Sequence, residues 1–105
     1  MVIFGLGTCD SCRKARKALP NARFVDVRAE GIPTEILDAA LERFGNDVLN
    51  TRSTTWRSLD EVQRQGTPKD LITEHPLLMK RPLVQDGDNL YLGWGKDVQK
   101  TLAEA

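Results

Sequence analysis

The sequence is poor in the features that mark several whole classes of protein. Its 15 basic and 15 acidic side chains cancel, and aromatic residues make up only 6% of the 105 residues. A balanced charge gives no reason to expect a nucleic-acid or membrane-surface binder. No apolar run approaches the roughly 18 residues of a membrane span, and the first ten residues lack the cationic start and apolar core of a signal peptide. We therefore expect a cytoplasmic protein without nucleic-acid or membrane partners.

Metal ligands are also scarce. The chain has two cysteines and one histidine, whereas a structural zinc site takes four ligands, mostly from these residue types. No metal is therefore expected. The two cysteines, Cys9 and Cys12, are separated by only two residues. In a reducing compartment such a pair favours catalysis or redox sensing over a permanent cross-link, and the alternative is a pair of small buried side chains in a helix.

Hydrophobic periodicity predicts alternating strands and helices at the start of one domain that spans the 105 residues. Residues 2–4 and 23–27 have the pattern of strands. Residues 11–19 lie between them and have the pattern of a helix with one apolar face. A helix of this length allows a right-handed crossover, so the three elements predict a βαβ unit with parallel strands. A second helix is expected between Pro33 and Gly45.

The middle of the sequence contains helix starts rather than strands. Ser58 with Glu61 fits a capping box, and Thr67 followed by Pro68 is typical of a helix N-terminus. Two short helices are therefore expected here.

The last third predicts a hairpin and a closing helix. Residues 82–85 and 89–93 are strand-like runs separated by an Asp-Gly turn signal, and a helix is expected from about residue 96. The order βαβ, helices, ββ and α predicts an α/β, thioredoxin-like fold. In this fold the helices at about residues 34–79 are an inserted lobe.

Cys9 lies just ahead of the predicted first helix. The amides of Asp10, Ser11 and Cys12 have no partners within the helix and, with the helix dipole, favour negative charge at this point. Because the thiolate is the nucleophilic form, the position predicts a reactive sulfur. Residues three apart on a helix are about 5–6 Å apart, within the range of a disulfide, so Cys12 is expected to resolve a mixed disulfide formed on Cys9.

Two segments carry a resemblance to a known family. The stretches CDSCRKARKAL and HPLLMKRPLV resemble the arsenate reductase ArsC / Spx family, whose members have a thioredoxin-like fold. The resemblance covers essentially the whole chain and implies that Cys9 is the catalytic cysteine and Arg13 a catalytic arginine. For Arg13 the alternative is a solvated helix face. The resemblance also implies that Arg81 and Pro82, joined by a cis peptide bond, bind substrate or glutathione by presenting backbone groups and the guanidinium to the cysteine loop. For this pair the alternative is an ordinary turn.

Other residues indicate the branch of the family. Family arsenate reductases place one arginine before the middle helix and another near the end of the hairpin. These positions fall at Asn50 and within YLGWGKD, where no arginine occurs. The segment NTRSTTWR is instead similar to short ArsC-like reductases, for which glutathione-dependent thiol reduction is expected. Thr51 and Arg52 in this segment suit a carboxylate of glutathione or an oxyanion, and the alternative is a polar loop ahead of a capped helix.

The sequence therefore predicts a thiol oxidoreductase of this family, in which Cys9 attacks a disulfide, a mixed disulfide or an oxyanion. Glutathione is the expected co-substrate, and either Cys12 or free glutathione is expected to resolve the adduct on Cys9. No bound cofactor is expected. Arg13, Arg52 and Arg81 are expected to hold the anionic partner. The first alternative is an Spx-like redox-sensing regulator that binds RNA polymerase, the second is an arsenate reductase, and the third is a protein that kept the fold and lost the chemistry.

Overall fold

The computed structural model describes residues 1–103 of the chain. These residues form a four-stranded sheet and seven α-helices, and the chain divides into two compact units. The first unit consists of Met1–Glu30 together with the chain from Arg81 onwards, and the second is Gly31–Lys80. The single domain with a helical insert stays a prediction. No helix within residues 1–103 is long and apolar enough to cross a membrane.

The first unit contains the whole sheet. Strand β1 (Val2–Gly5) pairs in parallel with β2 (Arg23–Asp26) and antiparallel with β3 (Leu83–Asp86). Strand β3 also pairs antiparallel with β4 (Asn89–Leu92), which gives the order β2-β1-β3-β4 across the sheet. The predicted βαβ unit and ββ hairpin are therefore confirmed, and β1 and β3 are the central strands.

Helix α1 (Asp10–Ala18) connects the two parallel strands and buries Cys12 and Ala15, while its cations remain exposed. A short helix that was not predicted, α2 (Val27–Glu30), follows β2, and α7 (Lys96–Ala103) ends the described chain. The buried core of this unit brings together side chains from two strands and two helices. Its members are Ile3, Ala15, Val84 and Leu102, and the partly buried Leu19, Ala22, Phe24, Tyr91, Trp94 and Val98 pack against them.

The hairpin between β3 and β4 has a two-residue loop that begins at Gly87. This glycine has a φ of 60°. A positive φ at the first loop residue matches the right-handed twist of the flanking strands and favours glycine there. The predicted turn signal therefore marks the observed turn.

The second unit is helical. Its α-helices are α3 (Thr34–Phe44), α4 (Thr54–Ser58), α5 (Glu61–Arg64) and α6 (Pro68–Glu74), and 3₁₀ helices occur at Gly45–Val48 and Pro76–Leu78. Three short α-helices follow α3, where two were predicted. The Arg64 guanidinium donates to the backbone oxygen of Trp56 at 3.1 Å and lies over the Trp56 ring, so it connects α5 to the end of α4.

The capping box predicted at Ser58 and Glu61 is wrong. Ser58 is the last residue of α4, because that helix begins after Ser53, whose Oγ accepts a hydrogen bond from the Trp56 N–H at 3.1 Å. The box lies two residues further on. The Asp60 carboxylate accepts the Gln63 N–H at 2.7 Å, and the Gln63 side chain accepts the Asp60 N–H at 2.9 Å.

The helix start predicted at Thr67 is confirmed. The Thr67 Oγ1 accepts a hydrogen bond from the Asp70 N–H at 3.2 Å, and Pro68 is the first residue of α6. Proline fits this position because its missing N–H would have no partner within the helix.

Candidate active site

Cys9 is the N-cap residue of α1, with an extended backbone at φ −81° and ψ 126°. Its side chain is half-buried and carries a free thiol. Its N–H donates to the Leu6 oxygen at 3.2 Å, and its own oxygen accepts the Arg13 N–H at 2.9 Å. The loop before the helix and the first helical turn therefore both hold the backbone that carries the sulfur.

The surroundings of Cys9 lower the pKa of its thiol below the ordinary value of 9.0. Burial is the largest single influence and acts in the opposite direction, because it disfavours the charged form. The N–H and the thiol of Cys12 and the N–H of Ser11 favour the anion, and the positive charge of Arg81 adds to them. The Cys9 side chain makes no capping hydrogen bond, so the amides act as dipoles of the helix N-terminus.

Cys12 lies one helical turn further on and is fully buried. Its Sγ accepts a hydrogen bond from the Leu6 N–H at 3.5 Å. Burial raises the pKa of the Cys12 thiol to about 11, and the neighbouring Cys9 adds to the rise, whereas the Leu6 N–H and Arg81 lower it. The pKa values of the two thiols therefore move in opposite directions, so that Cys9 favours the anion and Cys12 the neutral thiol.

Gly5, the last residue of β1, allows Cys12 to lie this close to the sheet. A Cβ atom on Gly5 would overlap the Cys12 Sγ and would lie 3.3 Å from the Cys12 Cβ. Sequence reasoning missed this role. The available signal was a glycine at the end of a strand, which often marks the close approach of another segment.

Arg81 and Pro82 immediately precede β3. The peptide bond between them is cis, as the family resemblance implied. Pro82 is buried and Arg81 is half-buried. The positive charge of Arg81 lowers the pKa of both Cys9 and Cys12, so the first unit brings this arginine and the two thiols together.

The side chain of Arg13 is directed toward Asp10. Its Nη2 donates to the Asp10 Oδ1 in an ion pair between residues three apart on α1, and the two side chains are 61% and 82% exposed. Exposed pairs of this kind contribute little to stability. The catalytic role of Arg13 is supported by the family resemblance alone and stays a prediction.

Thr51 and Arg52 belong to the second unit and are exposed. They line a cavity of about 580 Å³ whose lining also includes Asn50 and Lys80. The Asn50 Oδ1 accepts the Arg52 N–H at 3.1 Å, which orders the backbone of this loop. Arg52 and Lys80 give the cavity two cations, and Asp47 gives it one carboxylate. Sequence reasoning missed Lys80, although it stands directly before the Arg-Pro pair.

Comparison with known proteins decides the family. The sequence profile of the ArsC family matches residues 4–102. The chain belongs to the ArsC family. An uncharacterized protein of Haemophilus influenzae is 38% identical over 100 residues, which cover 86% of this chain and 88% of that protein. The global transcriptional regulator Spx of Streptococcus pyogenes serotype M1 is 30% identical over 108 residues, which cover 92% and 80%.

A solved structure, the YffB protein, has the same fold. It superposes on this ArsC-family chain with a TM-score of 0.85 at 31% identity, over 95% of this chain and 96% of that one. The predicted thioredoxin-like α/β fold is therefore confirmed. Family membership also supports the broad prediction of a thiol oxidoreductase type of protein. Within residues 1–103, no group of three or more His, Cys, Asp or Glu side chains is placed to hold a metal ion.

Proposed function

We propose that this ArsC-family protein is a glutathione-dependent thiol–disulfide oxidoreductase with Cys9 as its nucleophile. The observation that carries the proposal is the Cys9 sulfur, which is half-buried at the N-terminus of α1 and has a lowered thiol pKa. A sulfur in this position is accessible to a substrate and is ionised at a lower pH than an ordinary thiol. These are the two properties that disulfide exchange requires of its attacking group.

The proposed reaction begins with attack of the Cys9 thiolate on the glutathione sulfur of a mixed disulfide. A bond forms between Cys9 Sγ and that sulfur, the original disulfide bond breaks, and the other thiol leaves as a thiolate that takes a proton from water. A thiol then reduces the Cys9 adduct and returns the Cys9 thiolate. Arg81 stabilises the anionic sulfur at the start and at the end of this cycle.

Anion binding is the second part of the proposal. Glutathione carries two carboxylates, and the cavity lined by Thr51, Arg52 and Lys80 offers a hydroxyl and two cations against the single carboxylate of Asp47. Guanidinium groups bind carboxylates through paired, charge-assisted hydrogen bonds. This cavity would bind a carboxylate, the kind of group that glutathione carries.

The test is steady-state reduction of cysteine–glutathione mixed disulfide by glutathione, followed through the oxidised glutathione that forms. The wild-type protein should turn over, and Cys9→Ser should lose activity to the uncatalysed rate. Thr101→Ser, an exposed position on α7, is the matched control and should retain full activity. Turnover by Cys9→Ser, or none by the wild type, would reject the proposal. Arsenate offered in place of the disulfide tests the arsenate reductase alternative in the same assay.

The second candidate is a redox-sensing regulator, which the 30% identity to Spx favours. In this reading a disulfide between Cys9 and Cys12 changes a binding surface, and no turnover occurs. The experiment is capture of RNA polymerase subunits by the oxidised and the reduced protein. Capture by the oxidised form alone, with no reduction of the mixed disulfide, would establish the regulator in place of the enzyme.

A further inference from the structure

The Cys12 sulfur lies against the end of β1 and the residue that follows it. The residue is 0% exposed, and its Sγ accepts the Leu6 N–H at 3.5 Å. Gly5 leaves no room beyond the sulfur, since even a methyl group there would overlap it. The sulfur is therefore held by the end of β1 and by the loop that follows it. A resolving cysteine, in contrast, has to move toward the adduct and attack it as a thiolate.

The contacts of Cys12 suit a different role. Its side chain lies one helical turn from Cys9 and lowers the pKa of the Cys9 thiol, which favours the Cys9 anion. A thiol has one hydrogen to donate and a sulfur that accepts weakly. In Cys12 the sulfur accepts from Leu6, which leaves the S–H to donate to Cys9.

We propose that Cys12 is a positioning residue that remains a thiol throughout the cycle and donates its S–H to the Cys9 thiolate, so that free glutathione, and not Cys12, resolves the Cys9 adduct. This inference rests on the proposed function and specifies its second step. It also specifies the substrate class, since a monothiol cycle of this kind suits mixed disulfides that contain glutathione.

The resolving step is an ordinary disulfide exchange. The sulfur of a glutathione thiolate bonds to the glutathione sulfur of the adduct, the bond between that sulfur and Cys9 Sγ breaks, and Cys9 leaves as a thiolate. The products of the full cycle are the released thiol and oxidised glutathione. The free glutathione sulfur is oxidised from thiol to disulfide and the released sulfur is reduced from disulfide to thiol. The glutathione sulfur of the substrate is part of a disulfide at the start and at the end, and Cys12 is neither oxidised nor reduced.

The protonation of Cys12 supports this assignment. A thiol with a pKa of about 11 is only about one part in ten thousand thiolate at pH 7, against roughly 3% for an ordinary thiol. Burial is the main cause of the raised pKa. It persists when Cys9 is occupied by an adduct, because Gly5 and Leu6 still enclose the sulfur.

The experiment compares Cys12→Ser with Cys12→Ala, because serine keeps a hydrogen-bond donor and alanine does not. The first readout is the pH dependence of Cys9 alkylation, followed on the Cys9 peptide by mass spectrometry. The alkylation rate at neutral pH should fall about tenfold in Cys12→Ala and should return close to the wild-type value in Cys12→Ser. Equal alkylation profiles for all three proteins would overturn the positioning role.

The second readout is turnover of the mixed disulfide at a pH where Cys9 is ionised in every variant. Both variants should retain turnover. Loss of turnover in both variants would overturn the inference, because free glutathione would then not resolve the Cys9 adduct. A third readout uses the wild-type protein and does not depend on the folding of a variant. Mixed with oxidised glutathione, it should accumulate a glutathione adduct on Cys9, and an intramolecular disulfide in its place would overturn the inference. Alkylation needs no turnover, so it separates failure of this inference from failure of the proposed function.

Discussion

Gly5 of β1 lies directly against the sulfur of Cys12, so that a single added methyl group would overlap it. This relationship ties the active-site helix to a central strand of the sheet. It also gives the sharpest test of how tightly the buried thiol is packed.

We predict that Gly5→Ala lowers the free energy of unfolding by about 1–3 kcal/mol, the usual cost of overpacking. Chemical denaturation provides the measurement. Gly7→Ala is the matched control and should have a much smaller effect, because a Cβ there meets nothing within 4 Å. The double variant Gly5→Ala with Cys12→Ala should be less destabilised than the sum of the two single variants, since it removes the overlapping sulfur. Additive losses would contradict the contact.

The charge at Arg81 should control the reactivity of Cys9. We predict that Arg81→Gln slows alkylation of Cys9 at neutral pH about threefold, because it removes a positive charge that lowers the Cys9 pKa. Arg81→Lys keeps the charge and should lie closer to the wild type. The measurement is the alkylation rate of the Cys9 peptide against pH. Identical profiles for the glutamine and lysine variants would contradict the role of the charge.

The buried thiol should make stability depend on alkaline pH. The pKa of Cys12 is raised from 9.0 to about 11, so between these values the folded state holds a proton that the unfolded state releases. The stabilising effect is fully present below pH 9 and is lost as pH rises toward 11. We therefore predict that the free energy of unfolding falls more steeply between pH 9 and 11 in the wild type than in Cys12→Ala.

The contribution of Cys9 to the free energy of unfolding changes below pH 9, outside the range in which Cys12 acts. The lowered pKa of Cys9 adds stability that is present above pH 9 and is lost as pH falls through the pKa of the folded state. Denaturation curves over the pH range separate the two thiols. Parallel curves for the wild type and Cys12→Ala above pH 9 would show that Cys12 is not shielded from solvent.

The corrected capping box gives a prediction in the second unit. Asp60→Ala removes the acceptor for the Gln63 N–H and should cost about 1 kcal/mol of stability. Ser58→Ala should cost much less, because Ser58 ends α4 and its Oγ only donates to the Thr55 oxygen within that helix. Thermal denaturation distinguishes the two variants. A larger loss for Ser58→Ala would restore the capping box predicted from the sequence.

The elements of the first unit could be predicted because their signals are local. The apolar run before Gly5, the one-sided helix that follows and the turn at Gly87 each lie within a few residues of the structure that they specify. The capping box was predicted wrongly because several neighbouring residues carry the same local signal. Ser53, Ser58 and Asp60 are all suitable N-caps, and only the observed extent of α4 decides among them.

The reactive cysteine of the candidate site could be predicted from the sequence, whereas the side-chain contacts around it could not. The position of Cys9 before a helix followed from the spacing of residue types. The burial of Cys12 against Gly5 depends on how α1 packs on the sheet, which no nearby residue specifies. Arg13 was expected from the resemblance to act at Cys9, but an acidic residue three positions earlier on the same helix, Asp10, is its observed partner.

The position of β1 between β2 and β3 has a consequence for synthesis on the ribosome. β2 is made soon after β1, but Val2 also pairs with Gln85, which is made only after the whole of Gly31–Lys80. One edge of β1 therefore stays open on the nascent chain while Gly31–Lys80 emerges from the exit tunnel. An open strand edge is a template for wrong pairing. The nascent protein is thus most exposed to aggregation in the interval before β3 is released.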